Sequence, residues 1–548
     1  MPDIFDGTAE RIVLVGYGPV GARFVEELLP VVQSGRVHLT VVGAENVDAY
    51  NRVLIAEYAV GNAERDSLEI TDPSAARDAG VHFRLGVSVT AINRSRATVT
   101  LGDGTQLPYE RLVLATGARA NVPTLAGVTR VRLDKTMPAA DAAELDRNGA
   151  TLPHGVTVLR DLDDAARVLT AVHEARRIVV LGAGVLGMEI ALAAARAGSQ
   201  VCVVYHGDIP MGRNLDRGGG TVLARSARSA GVTMVNHSRA ESVLFHVDDT
   251  GTERFDALIC ADGKQIHGDL LLLSCGVGAR SELAALSGLP VSTGILVDEW
   301  LQSWSDPRVY AIGDCAHLAP SPQDGESRAR PAGGPPGLIG PGWRQADWLA
   351  ARFTAESGGH PANGELAANA AAVVMLKAEG VDVVAAGNTA ADPWDDQPTG
   401  HVVACDSAPL SVSQWADPEH NRYVKMVTRR GILEGFVCVG MPRTAAELTL
   451  LFERGSELPA DRSLLLRHDG PDYEPAAGSA FAADATVCWC NGVSVGGIEA
   501  AAGAGDTTVA CIGAATRAGT GCGGCKGRII EVLERFAEAG GTLDVPTA

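Results

Sequence analysis

Aromatic residues are scarce in this 548-residue chain, at 5%, so its cores must be built from Val, Leu, Ile and Ala. Positive charge is in short supply: 46 Lys and Arg against 66 Asp and Glu leave a net charge of −20. That balance argues against a nucleic-acid or anionic-membrane binder, since both need a basic face. No stretch reaches the ~18 uninterrupted apolar residues of a spanning helix. The first ten residues lack the basic and apolar regions of a secretory signal, so a cytoplasmic protein is expected. Cysteine is absent before Cys202, and the total of 11 is odd, which fits a reducing compartment better than a disulfide framework.

What is present is a repeated design. Arg11-Ile-Val-Leu-Val15 is a short apolar run followed by Gly16-Tyr-Gly18-Pro-Val-Gly21 and an amphipathic stretch, Ala22 to Leu29. Arg177-Ile-Val-Val-Leu181 is followed by Gly182-Ala-Gly184-Val-Leu-Gly187 and a helical stretch, Met188 to Ala197. Further strands follow at Val37 to Val42 and Gln200 to Val204. In a G-x-G-x-x-G turn the first Gly permits the tight bend, the second admits a pyrophosphate and the third lets helix pack on strand. Two such βαβ units predict two dinucleotide-binding folds in one α/β chain. Glu45 stands where a carboxylate can hold ribose hydroxyls. The second unit ends Val204-Tyr205-His206, with neither an acid nor an Arg at its tip, so NADH and NADPH remain equally open.

Strands are also expected at Arg111 to Ala115, Leu270 to Ser274 and Val309 to Asp314, then an irregular stretch from Ala319 to Gly342 and a helix from Trp343 to about Glu356. From Ala371 to Leu466 the pattern changes to an α+β module, with strands at Val381 to Ala385, His401 to Cys405, Tyr423 to Val427 and Leu433 to Val439 and a helix at Ala445 to Arg454. His468 to Ala485 reads as a linker. The expected organisation is therefore 1–125 and 278–357 as one split dinucleotide-binding domain, 126–277 as a second, 365–467 as an α+β domain, 468–485 as linker and 486–548 as a small cysteine-bearing domain ending in a helix, Arg528 to Ala539.

The cysteines of that last domain run Cys488-x-Cys490, then 31 residues, then Cys522-Gly-Gly-Cys525. Four thiolates suit [2Fe–2S], [4Fe–4S] or zinc. Cys511 is read as a packing residue of this domain, and Cys315 as another in the sheet core. Lys526, Arg528 and Arg517 either offset a cluster's charge or are simply solvated.

Ala115-Thr-Gly117-Ala-Arg119 and Ile312-Gly313-Asp314 resemble the two-dinucleotide-binding-domain flavoproteins. The resemblance implies FAD at Gly16, Gly18, Gly21, Glu45, Thr116, Gly117 and Asp314. It implies NADH or NADPH at Gly182, Gly184, Gly187 and Gly276. Arg52 resembles an Arg that contacts the flavin in related reductases, and Glu189 is placed to face the nicotinamide; both are catalytic candidates. Members that do thiol chemistry carry cysteine soon after the first Gly turn, and this chain has none there.

The cysteine set, with Thr516 to Cys522, resembles the bacterioferritin-associated ferredoxin-like domain, which implies a [2Fe–2S] cluster on Cys488, Cys490, Cys522 and Cys525. Ala49-Tyr-Asn-Arg-Val53, Met211-Gly-Arg-Asn-Leu-Asp216, Gly340-Pro-Gly-Trp-Arg-Gln345 and Lys377-Ala-Glu-Gly-Val-Asp382 carry a wider resemblance. It is to the electron-input part of assimilatory nitrite reductase large subunits and, more closely, to the FAD-containing electron-transfer subunit of bacterial assimilatory nitrate reductase. What that implies is a current from NAD(P)H to FAD to [2Fe–2S] to a separate redox protein, foremost a molybdenum-dependent nitrate reductase subunit. Other readings are a stand-alone ferredoxin or rubredoxin reductase, an FAD/[2Fe–2S] subunit of an amino-acid or opine dehydrogenase, or a redox-responsive binding protein. The acidic surface is expected to steer docking onto a basic partner patch.

Overall fold

The computed structural model describes residues 9–128, 152–321, 331–335, 337–361, 364, 366, 373–378, 380–393, 408–469, 481–488, 491–521 and 523–538. Among them no helix is long and apolar enough to cross a membrane.

Ile12, Val13 and Leu14 are almost fully buried, as a central strand covered on both faces requires. Strand Glu10–Val15 lies between Val37–Gly43 and Arg111–Leu114, parallel to both. The eight-stranded sheet then takes its next strand, Asp306–Ala311, from far along the chain, also in parallel. Helix Pro19–Gln33 packs against helix Ile339–Ser357 over this sheet. Phe353 meets Phe24 and Tyr310 edge-on at their interface. Three of the chain's few aromatic residues thus meet where two distant pieces of chain close one unit.

The intervening chain builds a five-stranded parallel sheet. Ile178–Leu181 is central, flanked by Val201–Val204 and Leu270–Leu273, with Thr233–Val235 and Val156–Thr157 at the edges. A third, antiparallel sheet runs in the order Val373–Ala378, Val381–Gly387, Ile432–Val439, Arg422–Arg429, Leu410–Asp417 and is backed by helix Pro442–Glu453. At the end, hairpin Thr486–Cys488 with Val493–Ser494 joins helices Val495–Gly503, Val509–Thr516 and Lys526–Glu538 around Val495, Ile498, Ile512, Ile529 and Val532. The described residues are thus α/β, with two sheets built around parallel strands and these smaller α+β parts in addition.

Two local expectations change. The helix expected from Trp343 starts at Ile339 and takes in Gly340-Pro341-Gly342. Proline is tolerated in a first turn, where backbone N–H groups have no helical partner. Trp343 then donates from Nε1 to Pro19 O (3.1 Å), and Gly313 N donates to Gln345 Oε1 (2.7 Å). Strands Val373–Ala378 and Leu410–Asp417 go beyond those read from sequence. The second is an edge strand whose Ser and Gln side chains hide its apolar alternation. The expected strand at 401–405 lies outside the described residues.

The second and third sheets are joined by a buried polar knot. Lys425, with a side chain only 3% exposed, bonds Asp216 (Nζ to Oδ2, 3.3 Å) and Thr389 O (2.9 Å). Tyr423 OH donates to the same Asp216 oxygen at 2.6 Å, and Asp216 caps helix Arg217–Ser229 through Gly219 N. Asp216→Ala should therefore cost about 3–5 kcal/mol by stranding a buried ammonium, whereas the double variant Asp216→Ala with Lys425→Met should cost less. Thermal melts of the two variants check the ranking.

Candidate functional site

Both glycine turns have the same backbone geometry. Gly16 (φ +107°) and Gly182 (φ +114°) are in conformations that L side chains rarely adopt. A Cβ on Gly16 would lie 2.2 Å from Ala115 O, and one on Gly182 would lie 2.2 Å from Ser274 O. Each turn is thus pressed against the end of the neighbouring strand. Gly21 and Gly187 repeat the match, their hypothetical Cβ atoms falling 2.3 and 2.2 Å from the carbonyls of Gly16 and Gly182. Gly18 and Gly184 are the N-caps of helices Pro19–Gln33 and Val185–Arg196 and leave their amide ends open to an anion.

The first turn opens on a cavity of about 870 Å³. Gly16, Gly18, Glu45, Arg52, Thr116, Gly117 and Asp314 all line it, while Gly21 sits behind the turn. Glu189 reaches the same cavity from the second unit, beside Val185 and Leu186 of its helix. Gly182, Gly184, Gly187 and Gly276 stand apart, around the second turn. There Gly276 follows Ser274-Cys275, on which Gly182 rests, and its carbonyl accepts from Asn121 N at 2.9 Å.

Glu45 is already engaged: Tyr50 OH donates to Oε2 at 2.8 Å and Arg52 pairs with Oε1. A carboxylate has further lone pairs, so ribose hydroxyls still find acceptors there. Arg52 also donates to Arg160 O at 3.0 Å. Arg160 itself is a residue that the sequence did not single out. Burial lowers its pKa, and the positive charges of Arg52 and Arg280 add to this. Its buried Nε has no partner among the described residues. Arg52, Arg160 and Arg280 all line the cavity. Asp314 faces two of them; burial raises its pKa while Arg160 and Arg52 hold it down. A wall this cationic, with an open helix N-terminus beside it, fits the pyrophosphate and ribityl portions of FAD.

A signal for Arg280 was present in the sequence. Gly117-Ala-Arg119 and Gly278-Ala-Arg280 repeat one tripeptide, and the two segments pair antiparallel with Gly278 opposite Arg119. Thr116 Oγ1 bonds Arg280 O at 2.6 Å, and Arg280 N bonds Gly117 O at 2.9 Å. Glu453, on the helix of the third unit, also lines the cavity; desolvation pushes its carboxyl up to about 7 against the pull of Arg344.

Of the four C-terminal cysteines, Cys488 and Cys525 are buried at 1% and 7% exposure. Cys490 and Cys522 lie outside the described residues. Asn491 Nδ2 approaches Cys488 Sγ at 3.7 Å and donates to Arg517 O at 2.7 Å. Helix Lys526–Glu538 starts directly after Cys525, placing its positive end by that sulfur. An all-thiol donor set with this support fits an iron–sulfur cluster. Cys315 is fully buried, as expected, with its sulfur 3.2 Å from Leu114 O. Cys511 is exposed, contrary to expectation, because its helix turns Ile512 inward instead.

Residues 10–333 match the model of the pyridine nucleotide-disulphide oxidoreductases. The chain belongs to that family. Residues 486–535 match the BFD-like [2Fe–2S] binding domain. The family brings FAD and a nicotinamide nucleotide, and the C-terminal domain brings a [2Fe–2S] cluster. Among curated relatives, the chain is 27% identical to a nitrite reductase [NAD(P)H] of Bacillus subtilis, over 96% of this chain and 57% of that protein. It is 26% identical to the assimilatory nitrate reductase electron transfer subunit of the same organism, over 96% of this chain and 60% of the relative. The chain thus spans between half and two thirds of the length of these relatives. Among solved structures, a covalent putidaredoxin reductase–putidaredoxin complex superimposes with a TM-score of 0.64 at 23% identity, covering 83% of this chain and 95% of that one. This likeness establishes the shared oxidoreductase fold.

Gly16→Ala should lower FAD affinity at least about tenfold, since strain and overlap of this kind exceed 1.4 kcal/mol. The ratio of flavin to protein absorbance after gel filtration reads the loss.

Proposed function

We propose that this protein is an NAD(P)H-dependent flavoprotein reductase that delivers electrons through its own [2Fe–2S] domain to a separate catalytic subunit, foremost an assimilatory, molybdenum-dependent nitrate reductase. The observation that carries the reading is one cavity walled by both nucleotide-binding units. Val185, Leu186 and Glu189 of the second unit face Arg52, Thr116 and Asp314 of the first across it. Bound here, a nicotinamide nucleotide would supply electrons in pairs, FAD would convert pairs to single electrons, and a [2Fe–2S] cluster on the C-terminal cysteines would carry them one at a time.

The chain's own groups divide the work. Arg52, Arg160 and Arg280 neutralise the pyrophosphate, and Gly16 and Gly18 let it approach the backbone. Asp314 accepts from the ribityl hydroxyls. Glu189 orients the nicotinamide edge, and Val185 and Leu186 keep water from it. No cysteine lines the cavity among the described residues. Cys202 and Cys275 are pushed up by burial to about 11, so they stay thiols at neutral pH. Among the described residues no dithiol is placed at the cavity to take electrons, so the C-terminal cysteines would hold the outlet. The relative named as a nitrate reductase electron transfer subunit supports the choice of partner. A thiolate-held cluster and an odd number of cysteines suit the reducing cytoplasm.

Anaerobic titration of the pure protein with NADH should take up about three electrons per chain, two for FAD and one for the cluster. About two, with no iron, would remove the relay. Cys522→Ser should abolish reduction of the partner subunit while NAD(P)H still bleaches the flavin; partner reduction that survives would place the cluster off the path.

A further inference from the structure

The segment Ala49-Tyr-Asn-Arg-Val53 sends its side chains two ways. Tyr50 and Arg52 turn to Glu45 at the cavity, whereas Asn51 turns toward the C-terminal domain. Asn51 is 1% exposed. Its Nδ2 donates to Thr520 O at 2.9 Å and to Gly521 O, and its Oδ1 accepts from Val53 N at 3.0 Å. Both N–H groups of the amide and its oxygen are therefore engaged. Gly521 directly precedes Cys522 in the chain, and Gly523 directly follows it. A Cβ on Gly523 would sit 3.6 Å from Leu54. Arg517, a few residues earlier, pairs with Glu26 (3.3 Å) and Glu27 (3.0 Å) on helix Pro19–Gln33. The C-terminal domain thus touches the turn Arg52–Leu54 and helix Pro19–Gln33, both of which contribute other residues to the cavity lining. The single turn Arg52–Leu54 has the cavity on one side, through Arg52 and Val53, and the cysteine segment on the other.

We infer that Asn51 is the positioning residue that docks the Cys522 segment on the outer face of the flavin-cavity wall, with Arg517 and the Glu26–Glu27 pair as its electrostatic second point. This rests on the reading that FAD fills the cavity and a cluster sits on the cysteines. An amide is required at position 51. Both acceptors are carbonyl oxygens, and a carboxylate there would oppose them with lone pairs while still capping Val53 N.

The decisive variant is Asn51→Asp in the full-length holoprotein, with Arg517→Gln as a second that leaves the turn untouched. Hydrogen exchange of the amides in 517–525 should speed up about tenfold in both, since each loses a charge-assisted or buried contact. On mixing with NADH, the paramagnetic signal of the reduced cluster should appear about tenfold later relative to flavin bleaching. Iron content and the signal of the dithionite-reduced cluster should stay as in the wild type. Exchange and cluster-reduction rates equal to wild type in both variants overturn the inference. If the wild-type cluster stays oxidised while NADH bleaches the flavin, the relay falls, and the exchange comparison still decides whether Asn51 holds the segment. If Asn51→Asp loses iron or exchanges rapidly throughout residues 486–538, Arg517→Gln carries the decision.

Discussion

The contact between the Gly16 turn and the Ala115 carbonyl is the constraint on which the cavity depends. It brings the end of the first strand so near the end of the Arg111–Leu114 strand that only a glycine fits between them. That closeness points the open end of helix Pro19–Gln33 into the same space as Thr116 and Gly117. The second unit uses the same contact, between Gly182 and Ser274, for the same reason. A phosphate cradle made of backbone needs two strand ends closer together than side chains allow.

Charge does the remaining shaping. Three arginines share one wall, and the depressed pKa of Arg160 reflects the mutual repulsion as well as burial. Such a wall is costly without a counter-charge. Glu45 and Asp314 offset part of it, and an anionic cofactor offsets the rest. The arginine wall is thus a local feature of a cavity that also carries Glu45, Glu189, Glu282, Asp314 and Glu453.

The parts legible in the sequence were those set by local rules. Apolar runs of strand length, each followed by a glycine turn, located both parallel sheets, because the periodicity and the turn chemistry agree there. Glu45 was read from its place after the second strand, Arg52 and Asp314 by resemblance, and all three line one cavity. Arg160 and Glu453 were not legible, since each reaches the site from a unit whose placement depends on tertiary packing. Strand Leu410–Asp417 escaped because an edge strand with one wet face has little apolar signature. Asn51 was passed over beside Arg52, as its partners are backbone carbonyls some 470 positions away and leave no pattern in the residues.

The split of the first sheet governs how the chain becomes a protein at all. Strand Arg111–Leu114 waits for Asp306–Ala311 before its outer edge is covered, and the whole second sheet is threaded between them. Closing so long a loop is slow, and it leaves a flat apolar edge open meanwhile. On a ribosome the second unit is complete before the first can close. The order of synthesis thus has the second unit fully made before the strand that closes the first has emerged.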